Sequence, residues 1–77
     1  MKELVEFIVK SLVDQPDEVY VEEVPSGGAT IVELRVARAD MGRVIGKGGR
    51  IINSIRSLLQ VAAAKQGSRV SLELIED

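Results

Sequence analysis

The chain has 77 residues, a net charge of −2, no cysteine and no histidine. That length makes one domain around one modest core, and with only carboxylates to offer a metal it argues against zinc, haem and iron–sulfur sites and against disulfides. No segment approaches a membrane span or a signal peptide, so a soluble cytoplasmic protein with no metal, cofactor or membrane partner is expected. In chain order, residues 2–14 read as a helix. Leu4, Val5, Ile8 and Leu12 fall on one side at helical spacing, opposite Glu3, Glu6, Lys10 and Asp14. Gln15-Pro16 stops it. Residues 18–24 read as a valine-rich strand, Pro25-Ser26-Gly27-Gly28 as a turn, and residues 30–37 as a second strand with Val32, Leu34 and Val36 facing inward. Asp40 stands where it would N-cap a short helix through Ile45. Residues 50–66 form the longest helix, closed by Gly67, and residues 70–75 alternate as a third strand with Val70, Leu72 and Leu74 inward. The order is α-β-β-α-α-β. The long connection from the second strand to the third allows those two to run parallel in a mixed sheet.

The small net charge hides a strong asymmetry. Residues 1–33 hold eight acids against Lys2 and Lys10, a balance of −6. Residues 34–69 hold eight basic residues against Asp40 alone, a balance of +7, and residues 70–77 return to −3. A confined basic surface on an acidic chain points to a targeted anion site rather than to indiscriminate coating of polyanions.

The centre of the basic segment is Ile45-Gly46-Lys47-Gly48-Gly49-Arg50-Ile51-Ile52. Two helices meeting at this glycine turn bring bare backbone N–H groups, the dipole of the following helix, and the charges of Lys47 and Arg50 to one point. A nucleic-acid phosphate suits that arrangement. Other nucleotide loops fit poorly. The G-x-x-x-x-G-K-[ST] loop fails because Gly42 to Gly46 is one residue short and Gly48 stands where the hydroxyl belongs. The G-x-G-x-x-G fingerprint fails because Ile51 replaces its last glycine, and because that loop joins a strand to a helix.

Ile45 to Ile52, I-G-x-x-G-x-x-I, resembles the core motif of KH domains, and the α-β-β-α-α-β order is that of the type II KH fold. The resemblance covers residues 1–77 as a single KH domain. With Gln15-Pro16-Asp17 after the first helix and Met41 through Arg50 at its centre, the chain is similar to the KhpA-type small bacterial KH-domain RNA-binding proteins. The resemblance implies an α+β fold with a three-stranded mixed sheet and helices packed on one face. It implies single-stranded RNA held by the G-x-x-G loop, about four nucleotides at a time. It also implies dimerisation, with a second copy or with a larger KH-containing partner of the Jag/KhpB type, and a role as an RNA chaperone or post-transcriptional regulator.

On this reading Gly46, Lys47, Gly48, Gly49 and Arg50 form the clamp. Gly48 is a departure, because only Lys47 then offers a side chain from the loop tip. Arg43 and Arg56 either flank the groove or are solvated helix residues. Val44, Ile45 and Ile52 supply aliphatic walls. Asn53 either bonds a base edge or faces water. The aromatics Phe7 and Tyr20 both lie outside the basic segment, unlike the base-stacking aromatics of sheet-type RNA readers. Leu58 and Val61 lie about 60° and 120° to one side of Ile55 on the long helix, so they either widen its core face or form a dimer surface. A protein-interaction module in which RNA is secondary is the alternative function. An enzyme fits least, because no nucleophile stands beside an obvious base.

Overall fold

The computed structural model describes residues 1–76. Helix α1 spans Lys2–Leu12, strand β1 Tyr20–Ser26, strand β2 Ala29–Arg35, helix α2 Met41–Ile45, helix α3 Arg50–Lys65 and strand β3 Val70–Leu74. Short 3-10 turns cover Pro16–Glu18, Arg38–Asp40 and Lys47–Gly49. The sheet order is β1-β2-β3, with β1 antiparallel and β3 parallel to the central β2. This is the α+β, three-stranded mixed sheet expected of the type II KH arrangement.

The first two strands form a tighter hairpin than the composition suggests. Ser26 pairs with Ala29, so Gly27-Gly28 alone makes the turn, and Pro25 lies inside β1 rather than in the turn. Proline is tolerated there because β1 is an edge strand, where a missing N–H need not break a ladder. On the helix side of the sheet, Val21, Leu34 and Leu74 share one row and Val32 and Leu72 the next. The parallel pair needs a crossover on one face, and α2 and α3 supply it.

Helix α1 buries Val5 and packs Ile8 against the core as its spacing suggests, but its stripe is shifted toward Val9 and away from Leu4 and Leu12. Val5 and Val9 have no exposed surface, whereas Leu4 and Leu12 are 40% and 36% exposed. The stripe is rotated because α1 packs its flank toward β1 and leaves Leu4 and Phe7 at the outer rim. The core joins Val5 and Val9 to Val21, Val32, Leu34, Val44, Ile52, Ile55, Leu59 and Leu72. Each such side chain contributes about 1.5–3 kcal/mol relative to an exposed position. Helix α3 ends as a Schellman motif: the Gly67 N–H bonds the Ala64 carbonyl and the Ser68 N–H the Ala63 carbonyl. That closed end turns the chain into β3, which begins beside Thr30.

Asp40 does precede α2, but its carboxylate makes no capping hydrogen bond to that helix. It turns back to accept the N–H groups of Asp14 and Gln15, each at 3.0 Å. Asp40 is 1% exposed, and the two N–H groups satisfy a charge that burial would otherwise penalise. The chain leaving α1 is thereby pinned to the start of α2, one turn ahead of the glycine loop.

Candidate nucleic-acid interface

The loop between α2 and α3 is glycine-rich yet held at both ends. Val44, before it, has no exposed surface and Ile52, after it, is 5% exposed. Both insert into the core, so the expected wall residue Val44 supports the loop from behind and offers nothing to a ligand. Ile52 presents only a sliver. Ile45 and Ile51 are the half-buried aliphatic residues beside the loop.

Gly46 adopts φ 75°, ψ 172°, a region open almost only to glycine. A Cβ there would stand 2.6 Å from Ile51 Cγ1, so the backbone of the loop lies directly on the first turn of α3. Gly48 and Gly49 are both left-handed, at φ 64° and 79°. Within this turn the Gly49 N–H bonds the Gly46 carbonyl and the Arg50 N–H the Lys47 carbonyl. The N–H groups of Lys47 and Gly48 find no acceptor among the described residues. Two free donors therefore sit at the exposed tip, flanked by the exposed side chains of Lys47 and Arg50 at the N-terminus of a 16-residue helix. Donors, full charges and helix dipole all favour an anion at that point.

The other expected residues divide. Arg43 is taken up by acids: its Nη2 lies 2.9 Å from Asp14 Oδ2 and its Nε 3.6 Å from Asp40 Oδ1. It faces the end of α1, and the partially exposed pair adds little to stability. Arg56 is not a solvated helix residue. Its Nε donates to the Leu72 carbonyl at 3.2 Å and its Nη1 to Asn53 Oδ1 at 3.1 Å. Asn53 is exposed on α3, beside Arg56. The part played by the Leu72 carbonyl was not legible in the sequence, because a backbone atom carries no residue signature and its pairing depends on the crossover.

Leu58 and Val61 are each 57% exposed on α3. They are not part of the core face, whose members are Ile52, Ile55, Leu59 and Ala63. On the helix-free side of the sheet, Glu22, Glu33 and Glu73 stand in register across all three strands. Like charges directly opposite cost stability and make this face repellent to a polyanion. A concavity of about 560 Å³ is lined by Glu18, Val36, Ala37, Arg38, Met41, Ile75 and Glu76. None of these is a loop residue, and a backbone clamp is an exposed surface rather than a cavity. No helix among the described residues is long and apolar enough to cross a membrane.

The family model described as "KhpA/KhpB, KH domain" matches residues 2–74. The protein named RNA-binding protein KhpA of Clostridium acetobutylicum is 55% identical over 75 residues, covering 97% of this chain and 100% of that one. Its namesake in Borreliella burgdorferi is 51% identical, covering 96% and 90%. That of Chlamydia trachomatis is 48% identical, covering 100% and 99%. A crystal structure of Aquifex aeolicus Era bound to GDP.AlF4- superposes with a TM-score of 0.61 at 22% identity, over 95% of this chain and 28% of that longer one, a likeness of fold. The chain therefore belongs to the KhpA/KhpB family of KH domains.

Proposed function

We propose that the protein is a non-enzymatic RNA-binding protein that holds the backbone of single-stranded RNA on the Gly46–Gly49 loop. The observation that carries this reading is the pair of free N–H donors at Lys47 and Gly48 between the Lys47 and Arg50 side chains. Phosphate contacts of this kind fix a strand in place without reading its sequence. The acidic row on the sheet leaves the helical side as the approach for RNA. The relatives named RNA-binding proteins support the same reading.

The protein acts in the cytoplasm as an RNA chaperone or post-transcriptional regulator, and it works as a dimer. Leu58 and Val61 are the observation in favour of the dimer: two exposed branched side chains one turn apart on α3, outside the core. A second copy, or a larger KH-containing protein of the Jag/KhpB type, covers them. Two loops on one assembly raise the effective affinity for a strand that spans both.

Titration of single-stranded RNA at several salt concentrations tests the clamp, comparing wild type with Lys47→Asp/Gly48→Asp. Both changes fall at exposed positions, and a Cβ on Gly48 would meet nothing within 4 Å, so the variant carries only the left-handed penalty at Gly48, and circular dichroism checks that it folds. Wild type is expected to bind with a negative log-affinity against log-salt slope, and the variant to lose binding. Equal binding by the two proteins refutes the loop as the site.

A further inference from the structure

A backbone clamp leaves open what meets the base. Gly49, Asn53, Arg56 and Gln60 recur at i, i+4, i+7 and i+11, which places them on one stripe of α3 starting at the loop. Printed contacts make three of them continuous. A Cβ on Gly49 would stand 3.5 Å from Asn53 Nδ2. Arg56 Nη1 donates to Asn53 Oδ1 at 3.1 Å, and Arg56 Nε donates to the Leu72 carbonyl at 3.2 Å. The line runs about 10 Å along the helix from the phosphate loop and ends on the outer edge of β3.

The chemistry of Arg56 is one-sided. A guanidinium only donates, so Asn53 turns its oxygen to Arg56 and its amide NH2 toward Gly49. Two of the five guanidinium N–H groups are used, leaving one on Nη1 and both on Nη2. Bonds to α3 and to β3 hold the half-buried guanidinium in one plane. Every open polar group of Arg56 is thus a donor; Asn53 adds its amide NH2 and keeps one acceptor lone pair on Oδ1. The two aromatics, Phe7 and Tyr20, lie on α1 and β1.

We propose that Arg56 is the base-selecting residue of the RNA site, with Asn53 holding its guanidinium in place, and that it selects bases presenting two adjacent acceptors. Guanine does so with O6 and N7, the edge arginine reads most often, and cytosine with O2 and N3. Adenine sets its amino group beside N1 and N7, and uracil sets N3–H between its two oxygens. Either base turns a donor toward the donors of the Arg56 guanidinium and leaves polar groups unpaired. This inference rests on the loop being the phosphate clamp.

The test uses short oligouridylates carrying one central guanine, cytosine, adenine or uracil, titrated against wild type and Arg56→Lys at two salt concentrations. Lysine keeps the charge and loses the planar fork. Wild type is expected to bind the guanine- or cytosine-bearing strand at least about fivefold more tightly than the adenine-bearing and all-uracil strands. In Arg56→Lys that ratio falls below about twofold while the salt slope is kept. Which of the two bases wins identifies the edge that is read. Salt-dependent binding by wild type without base preference, or a preference that survives in Arg56→Lys, overturns this inference and leaves the clamp standing. Absence of RNA binding by wild type overturns both. The wild-type ratio alone decides should the variant not fold.

Discussion

The glycine loop predicts an unequal response to the same mutation at three positions. At Gly46 the backbone conformation, φ 75° and ψ 172°, costs a residue bearing a side chain about 1–3 kcal/mol. Its Cβ would also lie 2.6 Å from Ile51 Cγ1, 2.9 Å from Cδ1 and 3.0 Å from Cβ. A rotamer change moves Cγ1 and Cδ1 but not Cβ, so the helix or the loop must shift, at about 1–3 kcal/mol. Gly46→Ala is therefore expected to cost roughly 2–6 kcal/mol of the roughly 4–12 kcal/mol available to a chain of this size. Gly48→Ala meets nothing within 4 Å and carries only the left-handed penalty, about 1–2 kcal/mol. Gly42→Ala lies in α2 with neither a positive φ nor a neighbour within 4 Å, and gains about 0.5–1 kcal/mol. Urea unfolding followed by circular dichroism gives the three values. Thermal midpoints should fall in the same order, by about 4–8 °C for each kcal/mol. If Gly46→Ala costs no more than Gly48→Ala, the close approach of loop and helix is wrong.

Asp40→Asn keeps one acceptor oxygen and turns an amide against the other N–H of the Asp14–Gln15 pair; it should cost about 1–3 kcal/mol in the same unfolding assay. Leu58→Glu should leave the unfolding midpoint of the monomer nearly unchanged while sedimentation shows a loss of self-association; a dimer that persists would remove α3 from the interface. Lys47→Ala keeps the loop backbone and removes one cation, so the salt slope of RNA binding should shrink by about one unit with no change in base preference. A slope that does not move would mean that Lys47 contacts no phosphate.

The elements most legible in the sequence were those with a local cause. The period-two pattern of Val32 and Leu34, the run of Ile52, Ile55 and Leu59, and the glycines at 46, 49 and 67 each state their own conformation. The I-G-x-x-G-x-x-I spacing located the loop because the tight turn and the helix start are properties of neighbouring residues. The stripe on α1 is only partly legible for the opposite reason. Val5 and Ile8 face the core as their spacing predicts, but Leu4 and Leu12 are as apolar as Val9, and only the position of α1 over β1 decides that Val9 is buried and they are not.

The order of elements, the basic centre between two acidic ends, and the glycine turn that exposes backbone donors are all legible in the residue order, because each arises from residues close together in the chain. Which charges the turn can use depends on contacts between distant segments. Arg43 was drawn to Asp14, 29 positions earlier in the chain, and Arg56 to the Leu72 carbonyl, 16 positions later, while Val44 was carried wholly into the core. Such partners meet only after the crossover has stacked helices on sheet. For that reason residue type and spacing place Lys47 and Arg50 at the loop, but do not distinguish an arginine free for a phosphate from one already bonded.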